Sequence, residues 1–339
     1  MEAIKKKSSR AAMVMLIMAV LMIAVFLLSM NTGEIRIAPL DALKTLFGFG
    51  TPQDELVLFE FRLPRMVLAM LIGAGVAIAG AVWQGVSQND LADPGILGIN
   101  AGAGFAVVLF IFFFQGSIDG LQTSTIFSLP IFAFFGACFA VILIYLLAWK
   151  KGLDPIRLVL VGIGVNAAFA AAILMLQLKM DPNDFMQAAV WLSGSIWNSN
   201  WSSVSATLPW IVVLIPFILY KARYLNVLNL GDQIAQGLGT AVEKERGILL
   251  LAAAALSGAC VAAGGNITFL GLIAPHIARR LVGPKHQLLI PASALTGALL
   301  FLLADLLSRV VLAPSEIPVG LVISALGAPY FIYLLMKTN

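Results

Sequence analysis

Apolar runs of roughly bilayer-spanning length recur along the whole chain, parted by short polar stretches. They fall near residues 11–30, 64–84, 96–115, 127–148, 156–178, 204–221, 247–264, 267–282, 290–311 and 318–336. The eighth is short and carries Pro275. None alternates apolar and polar residues as the strands of a membrane barrel do, so the pattern predicts helices. In lipid the backbone must satisfy its own hydrogen bonds, and a helix does so within one segment. The expected fold class is an all-α membrane protein, a polytopic bundle of about ten transmembrane helices. It forms one transmembrane domain over residues 1–339, with a long cytoplasmic loop at about 222–246.

Small residues recur every fourth position in two of these helices. Ala69, Gly73, Ala77, Ala81 and Gly85 form one stripe, and Ala254, Gly258 and Ala262 another. Such stripes let helix backbones approach closely in lipid. Residues 73–80 read GAGVAIAG and residues 258–265 read GACVAAGG, matching at five of eight positions. The two helices run in opposite senses. The pattern is that of an inverted repeat relating helices 2–5 to helices 7–10, as many transporters contain.

Composition agrees. The chain is 60% hydrophobic and 11% charged, with mean hydropathy +0.98. A soluble domain carries about twice that charged fraction. The net charge of +4 does not point to nucleic acid, because the basic residues lie in loops between apolar runs. Placing the N-terminus in the cytoplasm puts 15 of the 21 Lys and Arg on that side, among them Lys5, Lys6, Lys7, Arg10, Lys150, Lys151, Lys221, Arg246, Arg279 and Arg280. Arg36, Lys44, Arg62, Arg65, Lys179 and Arg309 remain outside. This asymmetry predicts a cell-membrane protein with both termini cytoplasmic. The run from Ala11 to Met30 exceeds a signal-peptide core of about 7–15 residues and reads as a retained helix. Cys138 and Cys260 lie inside apolar runs as packing residues, and His276 and His286 alone cannot form a metal site.

Few residues carry candidate chemistry. There is no G-x-x-x-x-G-K-[ST] loop for nucleotide phosphates and no nucleophile–base constellation, so the sequence predicts neither an enzyme nor a cofactor. Asp305 is the one acid well inside a predicted span, and Arg309 follows four residues later on the same helix face. That order suits a local ion pair; the rival reading is a coupling acid for protons or sodium. Arg62 and Arg65, in FRLPRM, are expected at the outer end of helix two, with Pro64 in its first turn. They either snorkel or form a positive patch for an acidic partner. Between helices six and seven, Gly231 and Gly239 bracket a short amphipathic segment containing Asp232, Ala235 and Leu238, a candidate docking element. Asn89, Asp90 and Leu91 start a tight turn between helices two and three, either a plain cap or part of an inner gate. Trp191, Trp197 and Trp201 read as interfacial anchors.

Six motifs occur in a fixed order: FRLPRMVLAMLIGAGVAIAG, QNDLADPGILG, GDQIAQGLG, ITFLGLIAPHIARRL, LLADLLSR and EIPVGLVISALGAPYFIYLL. Together they resemble the iron-siderophore and vitamin B12 uptake permeases of ABC importers, from about Arg62 to the C-terminus. The resemblance implies a permease with ten helices that pairs with a second permease subunit. It also implies two cytoplasmic ATPase subunits, an extracytoplasmic substrate-binding protein and a ferric siderophore as cargo. It assigns Arg62, Arg65 and Arg309 to docking of the binding protein. It assigns Gly231, Asp232, Ala235, Leu238 and Gly239 to ATPase coupling, and Asn89, Asp90 and Leu91 to the cytoplasmic gate. Where family members commonly have Asn-Pro, this chain has Asn89-Asp90. Cobalamin or haem are alternative cargoes, and an ion-coupled secondary transporter is the rival class.

Overall fold

The computed structural model describes residues 2–32, 38–114, 122–150, 152–197 and 199–337, and Arg36 and Lys151 of the charge pattern lie outside them. Each of the ten predicted apolar runs contains a helix. The chain opens with α1 (Glu2–Asn31), followed by the short α2 (Pro39–Leu46) and α3 (Pro52–Glu55). A π-helical segment, Leu56–Arg62, then runs straight into α4 (Leu63–Ser87). Next come α5 (Ile99–Phe114), α6 (Gln122–Ala148), α7 (Pro155–Gln177), α8 (Pro182–Leu192) and α9 (Trp201–Leu228). The rest are α10 (Asp232–Gly237), α11 (Val242–Gly264), α12 (Leu270–Val282), α13 (His286–Val310) and α14 (Val319–Lys337).

Among the described residues, eight helical segments are long and apolar enough to cross a membrane: α1, the continuous stretch Pro52–Ser87, α6, α7, α9, α11, α13 and α14. The apolar α5 has 16 residues and α12 has 13. At 1.5 Å per residue α12 reaches about 20 Å, short of a hydrocarbon core of about 30 Å.

One boundary differs from expectation. Pro64 does not open a helix, because the helix already runs from Pro52. The Leu63 N–H reaches back five residues to the Leu58 carbonyl, and Pro64 has no N–H to continue the series. A wide π turn just before a proline relieves the clash its ring would make with the carbonyl four residues back. Arg62 and Arg65 therefore sit within a continuous helix.

The centre of the bundle is built from small-residue seams. Gly73 on α4 meets Gly297 on α13 backbone to backbone, and a Cβ on either would collide with the other's carbonyl. Ala77 also touches Gly297, and Gly85 lies against His286 at the start of α13. Gly80 packs on Gly271 of α12, where a Cβ on Gly80 would collide with the Gly271 carbonyl. The second stripe has a separate neighbour, since Gly258 on α11 faces Ala137 and Phe134 of α6. Gly73 and Gly258 are equivalent at the repeat offset of 185 (258 − 73), so each half packs its glycine on a helix of the other half. Gly75 and Cys260, equivalent at the same offset, touch one another, and Ile72 meets Gly264 three to four residues away. Antiparallel helices that touch at equivalent positions are what an in-plane pseudo-twofold axis produces.

Candidate functional sites at the two ends of the bundle

At one end, α1, α4 and α13 converge on three arginines. The Arg65 Nε donates to Asp305 Oδ1 at 2.8 Å, and its Nη1 donates to both Glu316 carboxylate oxygens at 3.1 and 2.8 Å. Arg309 Nη2 lies 3.1 Å from Asp305 Oδ2, while its Nη1 donates to the Thr32 carbonyl at 3.0 Å and Nη2 also reaches Ser29 Oγ. Arg62 donates to the Met30 carbonyl. Asp305 is fully buried. The local pair expected from sequence is present, and Arg65 completes it from 240 residues away in the chain. Arg65 and Arg309 face the Asp305 and Glu316 carboxylates, and Arg62 brings a third guanidinium close to Arg309.

Within this chain the three guanidinium groups are largely covered. Side-chain exposure is 11% at Arg65 and 7% at Arg309, and Arg62 is buried. The most accessible of these charged groups is Glu316, at 30%. Sequence reasoning missed Glu316 because it lies in the loop before α14 and only the fold brings it to Arg65. Trp201, expected as a lipid anchor, donates its indole N–H to the Phe59 carbonyl at 2.8 Å, a tie between α9 and the π-helical segment.

The opposite end carries the turn and the short helix. Gln88 ends α4 in the left-handed region (φ 51°), and its Nε2 donates to the Leu228 carbonyl at 2.7 Å. Asn89 Oδ1 accepts from the Leu91 N–H at 2.9 Å, a local turn cap. Asp90 forms an ion pair with Arg279 of α12, and Arg279 also donates to Gln84 Oε1 at 3.2 Å. The position where proline was expected thus carries a charge that bridges α4 to α12. Gly231 and Gly239 flank α10 with φ 94° and 79°, conformations that favour glycine. Ala235 is fully buried beneath α10, whereas Ile234 and Leu238 are 56% and 63% exposed. All five residues expected at the docking element therefore lie on α10 and its flanks. The polarity of Asp232 has a specific use: Arg246 Nη2 donates to its Oδ1 at 2.7 Å.

Asp93 lies in the same turn, 1% exposed, and its Oδ1 accepts from the N–H groups of Gly95 (2.7 Å) and Ile96 (3.3 Å). Burial pushes its pKa up to about 6, against the opposing pull of the Gly95, Ile96 and Leu272 N–H groups. A carboxyl raised in the folded state costs stability once ionised. The cost begins above the unfolded value near pH 4 and is complete above about pH 6, where it amounts to about 3 kcal/mol. We expect Asp93→Asn to gain in detergent melting temperature relative to wild type as pH rises from 4 to 7. A constant difference across that range would count against a raised Asp93 pKa.

These features define a polytopic helical membrane protein with an interlocked core, a buried charge cluster at one end and a protruding helix at the other. The chain belongs to the FecCD transport family, whose sequence profile matches residues 21–337. It is 66% identical over 335 residues to the iron(3+)-hydroxamate import system permease protein FhuG of Bacillus subtilis, covering 99% of this chain and 100% of that one. It is 40% identical over 311 residues to the Fe(3+) dicitrate transport system permease protein FecD of Escherichia coli, covering 92% and 94%. Its fold matches a solved metal-chelate type ABC transporter in an inward-facing conformation, with TM-score 0.84, 28% identity, and coverage of 96% of this chain and 99% of that chain.

Proposed function

We propose that this chain is the permease subunit of an ABC importer that moves a ferric hydroxamate siderophore across the cytoplasmic membrane. The observation that carries the reading is the 66% identity, end to end, with a permease named for iron(3+)-hydroxamate import. The working assembly holds a second permease subunit, two cytoplasmic ATPase subunits that hydrolyse ATP on their own chains, and an extracytoplasmic binding protein. Both termini face the cytoplasm, in keeping with the Lys and Arg distribution.

In this reading the arginine cluster faces outward. Its guanidinium groups meet an acidic residue of the binding protein, and the two partners of Arg65 keep that guanidinium oriented before docking. The apolar side chains of Ile234 and Leu238 on α10 enter a groove of the ATPase, with Ala235 as the inward anchor. The turn at Asn89, Asp90 and Leu91 closes the inner mouth, held by the Asp90–Arg279 pair. ATP binding draws the ATPases together and switches the pathway between two packed states, and cargo moves because it binds those states unequally.

The test is uptake in cells lacking this gene, using radiolabelled ferric hydroxamate, ferric catecholate, cobalamin and haem. Ferric hydroxamate uptake is expected to fall by about tenfold or more, equivalent to an effective barrier higher by about 1.4 kcal/mol or more. Wild type should restore it, and Arg62→Glu with Arg65→Glu should not, at equal membrane abundance. Normal hydroxamate entry in a strain without a redundant importer would sink the proposal.

A further inference from the structure

Among the described residues Arg246 is the most deeply buried arginine, although it sits near the start of α11 beside polar loops. Three segments meet on its guanidinium. Nη2 and Nη1 donate to the two carboxylate oxygens of Asp232 on α10, at 2.7 and 3.3 Å. Nη1 also donates to the Leu153 carbonyl, at 2.8 Å, in the connection between α6 and α7. Glu243, one turn earlier on α11, lies 3.7 Å from Arg246 and accepts the Leu153 N–H at 3.1 Å. Both backbone polar groups of Leu153 are therefore held by α11 side chains.

Leu153 is one residue from Asp154, which caps α7 by accepting the Arg157 N–H at 2.8 Å. Farther along α7, Gly162 and Asn166 abut Leu97 and Gly98, the last residues of the turn that begins at Gln88. At those positions an added Cβ would lie within about 3 Å of the facing backbone, so the contact transmits displacement rather than absorbing it.

We propose that Arg246 is a positioning residue that makes α10 and the start of α7 a single mechanical unit, so that a push on α10 is delivered to the 88–98 turn. This rests on the reading of α10 as the ATPase contact. A planar guanidinium suits the role because its fork holds a carboxylate and a carbonyl at fixed angles, which an ammonium cannot. The exposed partner, Asp232, is the point at which the unit can be uncoupled without emptying a buried site.

The experiment uses the assembled importer, permease with ATPase and binding protein, in proteoliposomes. ATP hydrolysis and ferric hydroxamate uptake are measured together for wild type, Asp232→Asn, Asp232→Glu and Glu243→Ala. In Asp232→Asn, compared at equal amounts of assembled complex, cargo moved per ATP should fall by about tenfold, the scale of one lost charge-assisted hydrogen bond. Asp232→Glu should recover most of that ratio, and Glu243→Ala, which frees the Leu153 N–H, should show the same signature more weakly. A role in folding alone would lower the amount of complex and leave cargo per ATP unchanged, and that result overturns the proposal. Should Asp232→Asn fail to assemble, the Glu243→Ala ratio decides by the same criterion. Leu238→Asp is the separate control: if it leaves ATPase association intact, the α10 reading fails whatever the ratios show.

Discussion

Asp305→Ala is expected to cut the amount of folded protein in the membrane several-fold and to lower its melting temperature in detergent. Asp305 is fully buried and answers two guanidinium groups, Arg65 at 2.8 Å and Arg309 at 3.1 Å. Removing one member of a buried ionic group leaves the others as uncompensated charges, which typically costs about 3–5 kcal/mol. Against a total stability of roughly 5–15 kcal/mol that is a large fraction. Arg65 would keep Glu316, and Arg309 would keep Thr32 and Ser29. The charge of the cluster would nonetheless become more positive by one in a site with little water. Asp305→Asn retains an acceptor of the same shape and should lose less. Wild-type abundance and melting behaviour in the alanine variant would show that Asp305 does not neutralise the cluster.

The second large effect is expected at Gly297. A Cβ there meets the Gly73 carbonyl and the Ala77 side chain, so even alanine forces α4 and α13 apart. Overpacking a well-filled core costs about 1–3 kcal/mol when neighbours can shift, and backbone atoms shift least. Gly258 supplies the comparison. Its Cβ would lie 3.0 Å from Ala137 Cβ, a side-chain contact with some give. Membrane abundance should therefore order as wild type, then Gly258→Ala, then Gly297→Ala. Equal abundance of the two variants would mean that the α4–α13 seam is looser than described.

The helices were legible because lipid imposes a length and an apolar surface on each one separately. The repeat was legible at Gly73 and Gly258 because both halves need a glycine for the same packing reason. What escaped were interactions whose partners the chain separates. Asp305 and Arg309 share a helix turn and could be paired from spacing, whereas Arg65 and Glu316 could not be brought to them. Asp90 stood out as a charge in place of proline, and only the position of α12 supplies Arg279. Arg246 read as one of many cytoplasmic positive charges because the asymmetry rule counts charges without asking what they touch. The helical stretch ahead of α4 was missed for a local reason: Pro64 looks like a helix opener, and a π turn before it allows the helix to run through from Pro52.

The glycine seams also partition the molecule by stiffness. Where Gly73 meets Gly297 and Gly80 meets Gly271, the backbones interlock with no side chain to act as a bearing. Rotation or sliding there would drive carbonyl into carbonyl. The seamed helices α4, α12 and α13 thus behave as a stator. The freedom to rearrange belongs to helices such as α9, which leaves most of its surface unburied within this chain and meets α4 through side chains that can change rotamer.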